Sequence, residues 1–267
     1  MCVTAGPANI RGTRTYVYAA TLDDAPVHVC GYQNEAESLA GGNCMFLNFA
    51  GSNLALVRGP ELTNGFMHDM TAGLEELVHT RSIRGGLFTL GARSMWVEDY
   101  GDYTVILAQE PNDILSALSQ VPHHRRPVQD RELEAKIDFY MSRFGQDSFA
   151  LACFDGAVKP QHPITVSYRP RDPQVLTIPG LDGHDGRLPE VGAPVFRGFR
   201  VAFAAQGLTL PHWVHYTQAG ISGKRWAPSS VAGFVDNRFD GPNGDYVVPI
   251  SALYAGLTGR ELAAVLQ

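Results

Sequence analysis

Runs rich in β-formers open and close this chain, and between them the apolar spacing turns helical. With no regular βαβ alternation, that arrangement predicts an α+β fold with largely antiparallel sheets. Arg14–Leu22 and Pro26–Tyr32 read as strands joined by a hairpin turn at Asp23-Asp24-Ala25. Cys44–Ala50 and Leu54–Arg58 read as a second pair, joined across Gly51-Ser52-Asn53. In the middle third, Met67, Met70, Leu74, Leu77 and Val78 keep helical spacing behind a capping Thr63 or Asn64. A hairpin, Ser94–Asp99 with Asp102–Gln109, turns at Tyr100-Gly101. Asn112 or Asp113 then caps a short helix bearing Ile114, Leu115 and Leu118. Leu133, Ile137, Tyr140, Met141 and Phe144 mark the clearest amphipathic helix, with Gly145 as its C′ residue. Strands return at Phe149–Phe154, Ile164–Tyr168, Val175–Ile178, Phe199–Ala205, Trp213–Thr217 and Val231–Val235. Thr258-Gly-Arg-Glu261 has capping-box spacing and opens a last helix to Leu266. No repeat or long linker divides the sequence, so one domain over residues 1–267 is expected.

Composition narrows the function. At 45% hydrophobic and 18% charged, the chain can bury a substantial core. A net charge of −6 and the lack of a basic face argue against nucleic acid as a partner. No run of about 18 apolar residues exists, and the N-terminus has no signal-peptide pattern. No membrane association and a cytoplasmic location are the expectations. The G-x-S-x-G, Walker A, H-E-x-x-H and dinucleotide fingerprints are all missing, which argues against serine hydrolases, P-loop NTPases, zincins and Rossmann dehydrogenases. No cofactor is expected, and the expected partner is a small-molecule substrate. Oligomeric state stays open.

The four cysteines are not equivalent. Cys30, Cys44 and Cys153 sit in apolar runs, where cysteine serves as a small buried hydrophobe. Cys2 follows Met1, whose removal before a small residue would leave a thiol and an α-amine on one carbon. Their ordinary pKa values, about 8.5 and about 8, let the amine take the thiol proton, a compact nucleophile–base pair.

The densest polar stretch is Leu181-Asp-Gly-His-Asp-Gly-Arg187, flanked by prolines that hold it extended. Asp182, His184 and Asp185 put an imidazole between two carboxylates, which reads as an active-site loop; the competing reading is a solvated turn. His212 and His215 form an HxxH, but on a strand residues three apart face opposite sides and cannot share a metal. No metal is expected, and ligation shared with Asp182 and His184 stands as the alternative. Pro122-His-His-Arg-Arg-Pro127 reads as an exposed connector. In Asp236-Asn-Arg-Phe-Asp-Gly-Pro-Asn-Gly-Asp245, a calcium loop lacks its terminal acid and a pair of turns is expected. Asn237 and Arg238 are its candidates for substrate orientation.

Met1-Cys2 ahead of an apolar strand, with Arg14 at the start of a second strand, resembles the cysteine-type N-terminal nucleophile hydrolases. These include the choloylglycine and penicillin V acylases and the class II glutamine amidotransferases. The resemblance implies a four-layer α/β/β/α sandwich and Cys2 attacking an amide carbonyl with its own amine as proton shuttle. It further implies an oxyanion hole of backbone N–H groups and one of Asn43, Asn48 and Asn53. The Val-Thr-Ala-Gly-Pro after Cys2 departs from the Gly-Ile or Thr-Gly of those branches. The expected activity is a hydrolase or acyltransferase acting on an amide-type C–N bond. Cys2, Asp182 and His184 would be catalytic, with Arg14, Asp185, Asn237 and Arg238 binding substrate. The alternatives are an acid–base or metal-assisted enzyme using the Asp182/His184/Asp185 loop, and a non-catalytic binding or assembly protein.

Overall fold

A computed structural model of the protein describes residues 3–39, 41–58, 64–74, 95–109, 112–145, 147–157, 162–218, 220–221, 224, 226–257 and 259–264. Strands β1 (Val3–Thr4), β2 (Ala8–Leu22), β3 (Ala25–Ser38), β4 (Asn43–Phe49) and β5 (Gly51–Leu56) precede helix α1 (Asn64–Thr71). The hairpin of β6 (Trp96–Tyr100) and β7 (Tyr103–Ala108) leads to α2 (Asn112–Ala117) and α3 (Arg131–Phe144). Next come β8 (Ser148–Phe154), β9 (Ile164–Pro170), β10 (Val175–Ile178), β11 (Pro194–Val195) and β12 (Phe199–Ala205). The chain ends through β13 (His212–Trp213), β14 (Ser230–Asp236), β15 (Gly241–Pro242), β16 (Tyr246–Pro249), α4 (Ile250–Tyr254) and α5 (Gly259–Ala264).

Two sheets organise these elements: a seven-stranded one in the order β13-β14-β12-β2-β3-β9-β5 and a five-stranded one in the order β1-β4-β8-β7-β6. Among their ladders only β12–β2 is parallel. The fold is α+β with mostly antiparallel sheets, as its strand pattern predicts. The long β2–β3 hairpin turns on Asp23 and Asp24, at φ 49° and 60°. Tight hairpin turns need that left-handed backbone, and Asp tolerates it because its short side chain bonds locally.

The inner strands β4, β8 and β7 of the five-stranded sheet are buried on both faces, which is why β8 reads as a continuous apolar run rather than an alternating one. Met45, Leu47, Ala150 and Ala152 join a large cluster shared with Tyr16, Val17, Val201 and Phe234 of the other sheet. Phe46, Ile106, Leu151 and Cys153 point the opposite way, onto Ile114 of α2 and Leu133, Ile137 and Tyr140 of α3. Each large α3 side chain so buried stabilises the fold by about 1.5–3 kcal/mol. Asp130 caps α3, its carboxylate accepting from the Leu133 N–H at 3.0 Å. Helix α1 lies against β2, β3 and β12, and α5 against β14.

Three local expectations are corrected. β4 and β5 are not a hairpin: β4 pairs with β1 and β8, whereas β5 pairs with β9 in the other sheet. The crossover needs Gly51, where a Cβ would stand 2.1 Å from the Arg169 carbonyl oxygen. The Trp213–Thr217 strand stops after His212–Trp213, because Tyr216 turns to stack on Phe66 and donate to the Pro228 carbonyl at 2.7 Å. Gly145 ends α3 at φ −58°, not in the left-handed region. Thr63, Leu77, Val78, Ser94, Thr258 and Leu266 lie outside the described residues. Among the described residues no helix is long and apolar enough to cross a membrane.

Candidate functional site

Residues 180–187 form a loop that other parts of the chain hold at both ends. Its start is fixed by the half-buried Asp245 carboxylate, which accepts from the N–H groups of Gly180 (2.9 Å) and Leu181 (3.3 Å) and from Asn48 Nδ2 (2.8 Å). Burial pushes the Asp245 carboxyl up while those three donors pull it back. Asn243 clamps the next residue, accepting from the Asp182 N–H at 2.6 Å and donating to its carbonyl at 2.7 Å. Further on, Gly186 takes φ 88° against Pro7, a conformation that an L side chain resists.

Val3 and Thr4 of β1 and Ala8 at the start of β2 join this loop to the N-terminal segment. Val3 forms a parallel bridge with Gly183, and the Thr4 N–H donates to the Gly183 carbonyl at 2.9 Å. The Ala8 N–H donates to the His184 carbonyl at 2.8 Å. Lys136, on the apolar face of α3, spans strand and loop: its Nζ donates to the carbonyls of Ala5 (2.9 Å) and Gly186 (2.5 Å). Burial, opposed by surrounding negative groups, lowers its pKa. A lysine inside the stripe of Leu133, Ile137 and Tyr140 was the available sequence signal for this clasp.

Inside the loop, His184 Nδ1 lies 2.7 Å from Asp182 Oδ1, with Asp182 9% exposed and the imidazole 32%. A carboxylate can only accept here, so it selects the Nδ1–H tautomer and leaves Nε2 with a free lone pair, able to take a proton. Asp182 and His184 line a cavity of about 610 Å³ together with Asn237, Arg11, Arg200 and Phe196. That volume suits a small organic ligand.

The other predicted site residues divide. Asn237 lines the cavity; Arg14 lies close by on β2, half-buried, with Nη1 donating to the Gly12 carbonyl at 3.3 Å and Nε buried without a partner among the described residues. Burial, then the like charge of Arg200, lowers the Arg14 pKa, and Glu35 opposes both. Asp185 does not flank His184 as expected. It turns outward to Arg187, accepting from the backbone N–H at 2.9 Å and Nε at 2.6 Å, and these bonds lower its pKa.

Arg238 is committed to Asp236, with Nε–Oδ1 and Nη2–Oδ2 both at 2.7 Å. Burial pushes Asp236 up, yet Arg238, Arg197 and the Tyr246 hydroxyl outweigh it and hold the carboxyl below its ordinary range. In this arrangement the Nε and Nη2 of Arg238 are thus engaged by the protein's own carboxylate. Cys2 lies outside the described residues, one peptide bond before Val3. Cys30, Cys44 and Cys153 are buried, and burial pushes the Cys30 thiol up to about 12.

His212 pairs within β13 and His215 is exposed beyond it; neither lines the cavity. Among the described residues no three His, Cys, Asp or Glu side chains gather to hold a metal ion. In the basic connector, Arg126 donates to the Ser119 and Val121 carbonyls, each at 2.8 Å, and Arg125 reaches Asp99 at 3.3 Å. Sequence reasoning missed Arg11, Arg200 and Phe196, which carry no motif and meet only when β2, β12 and the loop before β12 come together.

No family model matches the chain, and no curated protein matches it. Among solved structures, the chain is similar to the crystal structure of baculovirus P35, with 12% identity over 93% of this chain and 99% of that one, at a TM-score of 0.48.

Proposed function

We propose that the protein is an acyl-transfer enzyme, a hydrolase or acyltransferase of an amide-type C–N bond. Its acid–base group is His184 oriented by Asp182, and its nucleophile is the Cys2 thiol. The observation that supports this reading is the Asp182–His184 pair on the wall of a ligand-sized cavity, bridged through Gly183 to the strand that follows Cys2. His184 Nε2 takes the thiol proton, and the thiolate attacks the amide carbonyl. As the C–N bond breaks, the imidazolium returns that proton to the departing amine. Water activated by the same nitrogen then cleaves the thioester and restores the thiol. The net reaction consumes one water and yields one acid and one amine.

The experiment is pH-dependent alkylation of the native protein with iodoacetamide, followed by intact and peptide mass. With Cys30, Cys44 and Cys153 buried, labelling reports Cys2. Cys2 should react faster near neutral pH than an unstructured cysteine peptide, and His184→Gln should slow it by about tenfold or more. Equal rates in the parent and the His184→Gln protein sink the thiol–imidazole pairing. A screen of amide substrates that finds turnover intact in Cys2→Ala but lost in His184→Gln favours acid–base chemistry without the cysteine.

A further inference from the structure

The cavity wall carries more than the acid–base pair. Arg11 of β2 and Arg200 of β12 both line it, and neither guanidinium has a hydrogen-bond or ion-pair partner among the described residues. Their strands are neighbours in the parallel ladder, where Arg200 stands opposite Arg14. Like charges side by side on adjacent strands destabilise a sheet unless something neutralises them. Among the described residues that line the wall, Asp182 is the sole carboxylate, and His184 already holds it at 2.7 Å. Glu35 stands opposite Arg11 on β3 but does not line the cavity.

Much of the remaining wall is apolar, with Ile10, Val195, Phe196, Phe199 and Val235 beside the polar Thr13 and Asn237. Phe196 lines the cavity and meets the highly exposed Phe239 with ring centroids 5.1 Å apart. A guanidinium offers a carboxylate two parallel N–H donors, and an aromatic rim offers a flat group an apolar face.

We infer that this cavity binds a small carboxylate-bearing molecule with a flat apolar body, its carboxylate on Arg11 and Arg200 and its body against Phe196. The inference rests on the acyl-transfer reading only for its substrate class: an amide that also carries a carboxylate, as in an N-acyl amino acid. Binding itself needs no turnover.

Calorimetric titration of the whole chain with hippurate (N-benzoylglycine) and with its uncharged amide, hippuramide, tests it. Hippurate should saturate below about 10 mM, with hippuramide at least about tenfold weaker. Arg11→Gln with Arg200→Gln should weaken hippurate by about tenfold or more and remove that preference, while Phe196→Ala should weaken both ligands. No saturable hippurate binding overturns the inference, as does equal affinity for hippuramide. Hippurate binding unchanged in a folded double-arginine variant also overturns it; circular dichroism and the unfolding midpoint check folding. Binding is read without chemistry, so saturable hippurate binding beside an unreactive Cys2 supports this inference and overturns the enzymatic reading. A reactive, His184-dependent Cys2 with no hippurate binding does the reverse.

Discussion

Two arginine-bearing clusters sit next to each other in sequence and behave in opposite ways. At the end of β14, Asp236 is gripped by Arg238 and by the Tyr246 hydroxyl at 2.9 Å. Arg197 completes that group, with Nε on Tyr246, Nη1 on the Gly180 carbonyl and Nη2 on the Gly244 carbonyl, at 2.9–3.0 Å. One residue past Asp236, Asn237 belongs to the cavity, where Arg11 and Arg200 bond to nothing described. The first cluster is closed: both guanidinium groups are bonded within the protein and share one carboxylate. The second is open, and its charges face space that a ligand can enter. Closed clusters hold folds; open ones are where a protein meets other molecules.

The sharpest way to break the comparison is to remove the shared carboxylate of the closed cluster. Asp236→Ala leaves Arg197 and Arg238 buried without their anion and should cost about 3–5 kcal/mol in urea unfolding. A loss below about 1 kcal/mol would erase the distinction between the clusters.

Two single buried groups, lacking full compensation, give an intermediate case with a pH signature. Burial lowers the His28 pKa from 6.5 to about 4. Between those values the unfolded chain binds the extra proton, so stability falls as pH drops, by about 3 kcal/mol in all. Burial raises Asp147 from 3.8 to about 6, against the pull of Arg171. There the folded chain holds the extra proton, so stability falls as pH rises, by about the same amount. The two slopes oppose each other. Asp147→Asn should make the protein lose stability on acidification from pH 6.5 to 4 more steeply than the parent, and His28→Gln less steeply. Urea midpoints across that range decide it, and unchanged slopes in both variants would contradict the assignment.

The smallest effect is expected in the open cluster. Arg200→Gln removes repulsion of Arg14 and breaks no bond, so stability should stay level or rise by about 0.5 kcal/mol or less. A clear loss in the same urea assay would mean that Arg200 is structural after all.

How much of this was legible before the structure follows from the range of each signal. Val175–Ile178 and Phe199–Ala205 keep the bounds their residues predict, and α3 follows its own apolar stripe, because these signals are local. β4 and β5 look like a hairpin because a short Gly-Ser-Asn linker suits one; nothing local says that the chain changes sheets at Gly51. In the site, Asp182 and His184 stand two residues apart and their contact is local. Asp185 had the same claim by spacing, and Arg187 two residues on took it instead. Asn243 and Asp245 look like turn residues of a distant segment, and their grip on residues 180–182 is purely tertiary. Arg11, Arg200 and Phe196 had no signal at all.

The contact between Val3 and Gly183 also sets an order of assembly. The first of these residues leaves the ribosome about 180 positions ahead of the second, a gap of roughly 10–40 s at ordinary rates of synthesis. During that interval β1 has β4 to pair with but no loop to bridge, and Lys136 has the Ala5 carbonyl but lacks its second clasp partner until Gly186 arrives. β1 waits for the loop that bridges it, so this side of the cavity closes only once residues 183–186 have been built.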